Sequence, residues 1–322
     1  MRIVTALGSA ALLPQGPDVS RDAHRANLVS AAKALAKLAL EHQVVVTHGD
    51  GPQPGVLALQ GQAGPSAEVM GTQTDSLIGY MLEQELGNWL PFDTPIATLV
   101  PMIEVDPDDP AFDTPMHCVG PVYDRAEAER IAVRTGWQMR ADGGGWRRVV
   151  ATPVPRRIFQ KRPLEWLVEQ GTIVLCAGGG GVPTAYNDAG DLVCVDALID
   201  KDFAAALIAR EVGADLFLAA TGADAVCLDW GTADQRAVKT AAPDALERHA
   251  FAAGSIGPKV AAACQFVRAT GKPAAIGALC DLSAMVAGAR GTVISPDVTG
   301  ITFHEPASEP GAALAPEMRH GT

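Results

Sequence analysis

The sequence predicts an α/β fold in which an open, mainly parallel sheet is covered by helices on both faces. Short apolar runs rich in β-branched residues alternate with longer segments whose apolar residues recur at helical spacing. The connections are short, and several predicted strands end in glycine-rich turns. Hydrophobic residues make up 48% of the 322-residue chain, so it can bury a substantial core.

The first half of the chain alternates three predicted strands with two predicted helices. Apolar, β-branched runs such as QVVVT indicate the strands, and an apolar stripe that includes Leu28 and Leu35 indicates the first helix. Asp18 or Ser20 can cap that helix. In chain order the segments are strand 2–7, helix 18–40, strand 43–47, helix 67–89 and strand 97–105.

The second half repeats the alternation with shorter connections. In chain order the segments are helix 164–170, strand 172–176, helix 203–212, strands 215–220 and 225–228, helix 259–270, strand 273–279, helix 282–289, and strands 292–295 and 301–303. Proline, alanine and glutamate dominate 306–322, which predicts a disordered tail. Residues 1–305 are therefore predicted to form the folded domain.

The segment 116–152 differs in amino-acid composition from the rest of the domain. A charged amphipathic stretch is followed by a turn of three glycines at 143–145, with Trp137 and Trp146 on either side. This pattern predicts a small protruding subdomain or lid set into the main fold. A solvated surface insertion would have the same glycine and charge content.

The net charge and the cysteines limit which binding partners and which cellular location are expected. A formal net charge of −12 argues against a general affinity for nucleic acid or anionic membranes. The sequence suggests no signal peptide, and no apolar run reaches the roughly 18 residues of a membrane span. The six cysteines are scattered without a CxxC pair, which predicts free thiols and a cytoplasmic location.

The strongest chemical signal is Lys201, which stands between Asp200 and Asp202 at the start of a predicted helix. A helix N-terminus and a movable ammonium group together suit the binding of an anion. Alone, the triplet is more typical of a surface helix start capped by Asp200. The glycine-rich turns at 177–183 (AGGGGVP) and 252–259 (AAGSIGPK) favour a site that moves a phosphoryl group.

A further glycine-rich loop follows the predicted strand at 43–47. Residues 48–55 (HGDGPQPG) contain three glycines and two prolines, and they are predicted at the carboxyl edge of the sheet, where open α/β sheets bind ligands. His48 at the start of this loop is interpreted as a hydrogen-bonded structural histidine and not as a base.

A series of motifs runs through the chain in a fixed order: ALGSAALL, VVVTHGDGPQPG, GTQTDSLIGYMLEQ, CVGPVY, GWRRVVATPVPRRI, AGGGGVP, VDALIDKDFAAALIA, DLFLAATGADAV, FAAGSIGPKV and GTVI. Together they resemble the carbamate kinases of the amino acid kinase superfamily along nearly the whole length, short of the tail. The resemblance implies a homodimer, ATP or ADP with Mg²⁺ bound by the second half, and carbamate or carbamoyl phosphate held by the first.

On the nucleotide side, the resemblance implies that Lys201 steadies the transferring phosphoryl group and that Lys259 reaches the ATP phosphates. Asp202 would orient these lysines or the metal ion, and no residue is assigned as a direct metal ligand. The other nucleotide-binding positions that it implies are Gly178, Gly179, Gly180, Gly181, Thr221, Gly222, Ala225 and Gly254.

On the acceptor side, the resemblance implies a catalytic role for Gly8. The substrate-binding positions that it implies are Ser9, Ala10, Gly49, Asp50, Gly51 and His117. The chain departs from the family pattern in four places: Ser9-Ala10 replaces Gly-Asn, Asp50 replaces Asn, His117 replaces Lys, and Gly222 replaces Asp. The first three departures remove a donor or a positive charge, or add a negative one, where an anionic substrate is expected.

Three functions remain open at this point. The chain is expected to be an active carbamate kinase, or a kinase of another small carbamoyl, carboxylate or amine substrate that Ser9 and Asp50 help to bind. The third alternative is a regulatory paralogue that binds nucleotide without turnover. Retention of Lys201, Asp202 and Lys259 favours an ATP-dependent kinase, since phosphoryl transfer depends mainly on alignment and charge neutralisation.

Overall fold

The computed structural model of the protein describes residues 1–8, 12, 21–49, 66–252 and 256–305. The strands are β1 (Arg2–Leu7), β2 (Gln43–His48), β3 (Ile96–Leu99), β4 (Met102–Glu104), β5 (His117–Tyr123), β6 (Met139–Asp142), β7 (Gly145–Val150), β8 (Arg157–Ile158), β9 (Ile173–Cys176), β10 (Val182–Tyr186), β11 (Leu192–Cys194), β12 (Leu216–Thr221), β13 (Cys227–Leu228), β14 (Arg236–Ala241), β15 (Ala274–Ala278), β16 (Thr292–Ile294) and β17 (Ile301–Phe303). The α-helices are α1 (Arg21–Ala39), α2 (Ala67–Gly87), α3 (Pro110–Asp113), α4 (Arg125–Thr135), α5 (Lys161–Glu169), α6 (Lys201–Glu211), α7 (Pro243–Leu246), α8 (Ile256–Thr270) and α9 (Leu282–Val286). Short 3₁₀ turns cover Gly178–Gly180 and Leu279–Asp281.

The main sheet has ten strands. Nine follow the order β13-β14-β16-β15-β12-β1-β2-β9-β3, and β17 pairs with β14. The strands from β15 to β3 run parallel to their neighbours, and the antiparallel pairs lie at the other end of the sheet. The predicted fold class, an open and mainly parallel sheet with helices on both faces, is confirmed.

The alternation of side chains along the central strands divides the core into two clusters. On β1, Val4 contributes to one cluster and Ile3 to the other, because successive side chains of a strand point to opposite faces. α6 and α8 cover the first face, and α1 and α2 cover the second. Helices therefore shield both faces of the parallel strands from solvent, as is usual for parallel sheets.

The prediction of a single strand at 97–105 is wrong, because the strand is interrupted at Pro101 and the segment forms two strands, β3 and β4. β3 pairs with β9 in the main sheet, whereas β4 joins a separate four-stranded sheet of order β11-β10-β4-β8. A proline has no N–H to donate to a strand ladder, and it restricts the residue before it. The Pro101 carbonyl instead accepts from the Val182 N–H at 2.9 Å.

Several strands outside the central ladder had no sequence prediction. β10 and β11 form a hairpin in the four-stranded sheet, and β14 lies toward one end of the main sheet. β14 buries only Val238 and Ala241, so its apolar pattern is weak. Weak alternation of this kind does not separate a strand from a loop.

The segment predicted as a protruding subdomain contains a three-stranded sheet of order β5-β7-β6, with α4 packed against it. Ala128 and Ile131 are the buried residues of α4. A side chain at Gly145 would collide with Val122 across this small sheet. The domain limits and the role of this sheet as a lid stay predictions, and 306–322 lies outside the described residues.

The thiols and helices agree with two expectations from composition. All six cysteines are free. Burial raises the pKa of both Cys176 and Cys264 to about 12, so these thiols stay protonated at neutral pH. Among the described helices, none combines the length and apolarity needed to cross a membrane.

Candidate active site

Several of the predicted site residues lie at the carboxyl edge of the parallel strands. β12, β1, β2 and β9 are consecutive in the sheet, so their carboxyl ends lie side by side. Gly8 follows β1 and donates its N–H to the Ala220 carbonyl at 2.9 Å, and Gly49 follows β2 and donates to the Leu7 carbonyl at 3.0 Å. This edge is where open α/β sheets bind ligands.

α6 begins at this edge and places the charged triplet there. The Asp200 carboxylate caps the helix by accepting the Asp202 N–H at 2.8 Å. Asp202 is 1% exposed, although it lies in the first turn of the helix. The helix cap that the sequence suggests is therefore present, and the same turn also holds a buried carboxylate.

Two lysines share the Asp202 carboxylate. The Lys259 ammonium contacts its two oxygens at 3.0 and 2.9 Å, and the Lys201 ammonium lies 3.3 Å from one of them. Burial lowers the pKa of Lys259 below its ordinary value; Asp202 opposes this shift and Lys201 adds to it. Lys201 is adjacent in sequence to Asp202, whereas Lys259 reaches the carboxylate from α8. The structure thus joins the two predicted lysines through the predicted aspartate.

Gly8 brings the first half of the chain against this cluster. A Cβ added at Gly8 would lie 3.0 Å from the Ala220 carbonyl oxygen and 3.6 Å from the Lys259 ammonium. Any larger side chain would displace the lysine or fill the space beside it. The glycine therefore leaves room for the Lys259 ammonium beside the end of β1.

The glycine turn after β9 packs tightly on two neighbours. A Cβ at Gly180 would collide with the Ile199 carbonyl, just before the charged triplet, and one at Gly178 would collide with the His48 ring. Gly179 and Gly180 also adopt positive φ angles of 58° and 104°, which favour glycine. These contacts explain the glycines by packing, and the predicted contact of Gly178–Gly180 with nucleotide stays a prediction.

His48 is buried beneath this turn. Burial lowers its pKa from 6.5 to about 4, and a contact of 3.4 Å between Nδ1 and the Gly49 carbonyl opposes the shift only partly. The imidazole is therefore neutral at pH 7. Its burial and packing support the interpretation of His48 as a structural histidine.

The buried imidazole predicts a pH dependence of stability. Between pH 6.5 and about 4 the unfolded chain takes up a proton at this position and the folded chain does not. As the pH falls through this window, the free energy of unfolding should therefore decrease by up to about 3 kcal/mol. Above pH 6.5, the ionisation of His48 should not affect the free energy of unfolding. Urea titrations at stepped pH should show a shallower slope for His48→Asn than for wild type. The exposed His249→Asn serves as the control and should keep the wild-type slope; equal slopes in all three would contradict the assignment.

His117 projects from β5 of the small sheet. Its accessible surface is that of an exposed residue, yet neighbouring protein atoms crowd the ring. This crowding lowers its pKa; Asp200 opposes the shift, and Lys201 and Arg147 add to it. These influences place His117 within electrostatic reach of the charged triplet. A neutral imidazole at pH 7 does not supply the positive charge that a lysine would.

The remaining predicted residues divide into two groups. Thr221, Gly222 and Ala225 lie at or just beyond the end of β12, with Gly222 exposed and Ala225 buried. Ser9, Ala10, Asp50, Gly51 and Gly254 lie outside the described residues. The binding roles of all these positions stay predictions.

The charges of this cluster nearly cancel. Lys201 and Lys259 carry two positive charges, and Asp200 and Asp202 carry two negative ones. In the described part of the chain, no group of three or more His, Cys, Asp or Glu residues could hold a metal ion. Lys259 contacts both Asp202 oxygens and Lys201 contacts one of them, so the described ionic contacts of this carboxylate are with lysines.

Comparison with known proteins decides the family. The amino acid kinase family model matches residues 124–278. The carbamate kinase of Rhizobium meliloti is 51% identical over 98% of this chain and 100% of its own, and that of Haemophilus influenzae is 47% identical over 94% and 100%. The chain belongs to the carbamate kinase family.

Solved structures of the carbamate kinase family agree with this assignment. Carbamate kinase from Giardia lamblia bound to AMP-PNP has a TM-score of 0.85 at 34% identity, and the match covers 91% of this chain and 98% of that one. The predicted family and the predicted class, a carbamate kinase-like phosphotransferase, are confirmed.

Sequence reasoning missed one charged contact close to this site. Arg148 of the small sheet is 4% exposed, and its Nη2 donates to both Asp196 oxygens at 3.0 and 2.9 Å. Both residues fall inside motifs that carry the carbamate kinase resemblance, GWRRVV and VDALIDKD. No pattern in the sequence pairs them, because the contact joins positions 48 residues apart.

Proposed function

We propose that the chain transfers a phosphoryl group between ATP and carbamate, interconverting ATP and carbamate with ADP and carbamoyl phosphate. The observation that carries this proposal is the pair of lysines held on Asp202 beside Gly8. One ammonium comes from the start of α6 and the other from α8, and they converge where the two halves of the chain meet. Such a pair neutralises charge on a transferring phosphoryl group without covalent chemistry by the protein.

The lysines have different freedom. Lys259 is buried and held by two hydrogen bonds, so it presents its charge at a fixed place. Lys201 is half-buried and makes a longer contact with Asp202, so it can follow the phosphoryl group more easily. Asp202 contacts both ammonium groups, and its charge opposes the lowering of the Lys259 pKa. In this arrangement the chain's part in the reaction is alignment and electrostatic stabilisation.

We place ATP or ADP at this edge beside Lys259 and the end of β12, in the second half of the chain. Mg²⁺ would arrive bound to nucleotide phosphates, since it keeps several waters and needs few protein ligands. That ion would offset phosphate charge, which the nearly neutral protein cluster leaves uncompensated. Lys201 and Lys259 would then hold the phosphate oxygens that the ion leaves free.

A second candidate function is phosphorylation of a different small acceptor. The neutral His117 in place of the family lysine favours it, together with Ser9, Ala10 and Asp50. A coupled assay should follow ATP formation from carbamoyl phosphate and ADP, and a second should follow ADP formation from ATP with carbamate and a panel of carbamoyl, carboxylate and amine compounds. Turnover with carbamate alone supports the first function, a faster alternative acceptor supports the second, and no turnover refutes both.

We also propose a reducing, cytoplasmic location and a twofold homodimer. The six free thiols, two of them exposed, are typical of a reducing compartment.

For the dimer, Leu77 and Tyr80 stand three residues apart on α2 and are 46% and 59% exposed, and the nearby Phe92 is fully exposed. Exposed apolar residues grouped on one helix indicate an interface, and a twofold axis would make it self-complementary.

Tyr80→Glu should separate the dimer into monomers. A buried carboxylate without a partner opposes association, and an obligate interface typically buries about 2,000 Å² or more. Light scattering at micromolar concentration should give twice the chain mass for wild type and the chain mass for the variant. Trp166→Glu, at an exposed tryptophan on α5, is the control and should stay dimeric. A monomeric wild type would refute the dimer.

A further inference from the structure

Asp196 joins three parts of the molecule that meet beside the active site. Its carboxylate accepts the Arg148 guanidinium of β7 at 3.0 and 2.9 Å, and it accepts the backbone N–H of Ala67 at 2.7 Å. Asp196 itself belongs to the segment that leads into α6 and Lys201. We call Ala67, Arg148 and Asp196 the Asp196 junction.

The contacts of the junction satisfy groups that need partners. The Arg148 guanidinium is buried and stacks over the Trp137 ring at 4.1 Å. A buried guanidinium is costly without charged or hydrogen-bonded partners, so Asp196 fixes where β7 can lie. The Asp196 carboxylate also accepts the Ala67 N–H at 2.7 Å, so it provides a charged acceptor at the start of α2 from a distant part of the chain.

Backbone and apolar contacts reinforce the same junction. The Leu198 N–H donates to the Ala151 carbonyl at 3.0 Å, and Ala151 forms a parallel bridge with Ala197. The side chains that close the space around it form one small buried cluster: Ala67, Val119, Val150 and Leu198. The base of the small sheet is thus locked to the segment that precedes Lys201.

The contacts of the Asp196 junction also affect the predicted acceptor side of the site. Arg148 pairs with Val119 of the adjacent strand β5, and His117 lies two residues before Val119 on the same strand. β5 in turn brings His117 within electrostatic reach of Lys201. Holding Arg148 therefore holds His117 at its distance from the lysine.

We propose that Asp196 is a positioning residue that sets the affinity for the phosphoryl acceptor by fixing the small sheet relative to Lys201. It acts through Arg148 and β5 and does not contact substrate. The kinetic effect rests on the proposed function. If the small sheet occupies its binding-competent position only a fraction of the time, the apparent acceptor affinity falls by that fraction.

Asp196→Asn keeps one acceptor oxygen and removes the charge. We expect the KM for carbamoyl phosphate to rise about tenfold, from a competent fraction reduced to about a tenth, while the KM for ADP changes less than about twofold. Arg148→Met should have the same selective effect, and the two effects should combine less than additively in the double variant, because the substitutions share the Arg148–Asp196 interaction. Asp142→Asn is the control: it breaks the Arg147–Asp142 pair, which lies wholly within the small sheet, and it should leave both KM values unchanged. Equal changes in both KM values, or none, would overturn the proposal.

Hydrogen exchange tests the junction without any substrate. In Asp196→Asn, amides of β7 and of the first turn of α2 should exchange faster than in wild type, whereas Asp142→Asn should leave the first turn of α2 unchanged. A wild-type protein inactive with carbamoyl phosphate would refute the proposed function, and the exchange result would still decide the junction. Unchanged exchange in both regions of Asp196→Asn would refute the junction itself.

Discussion

Replacing Lys259 with methionine should lower the rate of ATP formation from carbamoyl phosphate and ADP by about 10²–10³-fold, the usual cost of losing one positioned donor at developing charge. The structure gives the reason, because Lys259 lies beside Gly8 with its ammonium held by both Asp202 oxygens. Lys201→Met should also reduce the rate, with a larger share of the loss in kcat if this lysine follows the transferring group. Steady-state kinetics with both substrates varied would separate these effects.

Two further variants make the Lys259 result interpretable. Lys259→Met alone leaves Asp202 buried with one cation fewer, which can destabilise the fold by about 3–5 kcal/mol. Lys259→Met combined with Asp202→Asn removes that unpaired charge, so a folded double variant that stays slow assigns the loss to catalysis. Lys272→Met removes a charge at the opposite edge of the sheet, where Lys272 lies 4.0 Å from Asp215, and it should keep wild-type activity. Wild-type rates in both active-site lysine variants would remove the site assignment.

Restoring the family residues on the acceptor side should raise carbamate kinase activity by several orders of magnitude. The variant combines Ala10→Asn, Asp50→Asn and His117→Lys. A like charge within a few ångströms of an anion costs up to about 4 kcal/mol at an effective dielectric constant near 20. That penalty corresponds to roughly a thousandfold in affinity. Since Lys201, Lys259, Asp200 and Asp202 sum to zero charge, one added lysine changes the net charge of the cluster.

His117→Lys alone tests the part of this argument that rests on described contacts. The new ammonium would lie near Asp200 and Lys201, the groups that already influence His117. The KM for carbamoyl phosphate should fall, and ATP formation in a coupled assay should speed up. Val133→Lys adds the same charge to an exposed position of α4 and should change neither. A wild type already turning over carbamoyl phosphate near the median of about 10 per second would instead favour plain carbamate kinase activity.

The sequence predicted the central sheet well, and the charged residues that it singled out lie in contact, because both leave strong local signals. β1, β2 and β9 are continuous apolar runs, and Lys201 stands in an unusual triplet between glycine turns. The break at Pro101 was visible as a proline, yet local sequence does not say that the two halves of a run enter different sheets. That choice depends on β10, which lies more than 75 residues further along the chain.

The same limit applied to the site. The glycines at 178–180 were predicted to make room for phosphate, whereas the structure shows that a side chain at Gly178 would meet the His48 ring and one at Gly180 the Ile199 carbonyl. A pattern of glycines indicates close approach without naming the partner. The pairing of Arg148 with Asp196 is also invisible in one sequence, since neither spacing nor local propensity relates distant charges.

The central position of β1 bears on how the protein is made. Ile3 of β1 pairs with Leu216 of β12, so β1 lacks one neighbour until the ribosome has added the residues up to Leu216. At about 5–20 residues per second, that interval lasts roughly 10–40 s. During it, the β12-facing side of β1 presents unpaired backbone groups, and long-range parallel pairing is intrinsically slow to form. β1 is therefore a segment through which nascent chains can contact chaperones and one another.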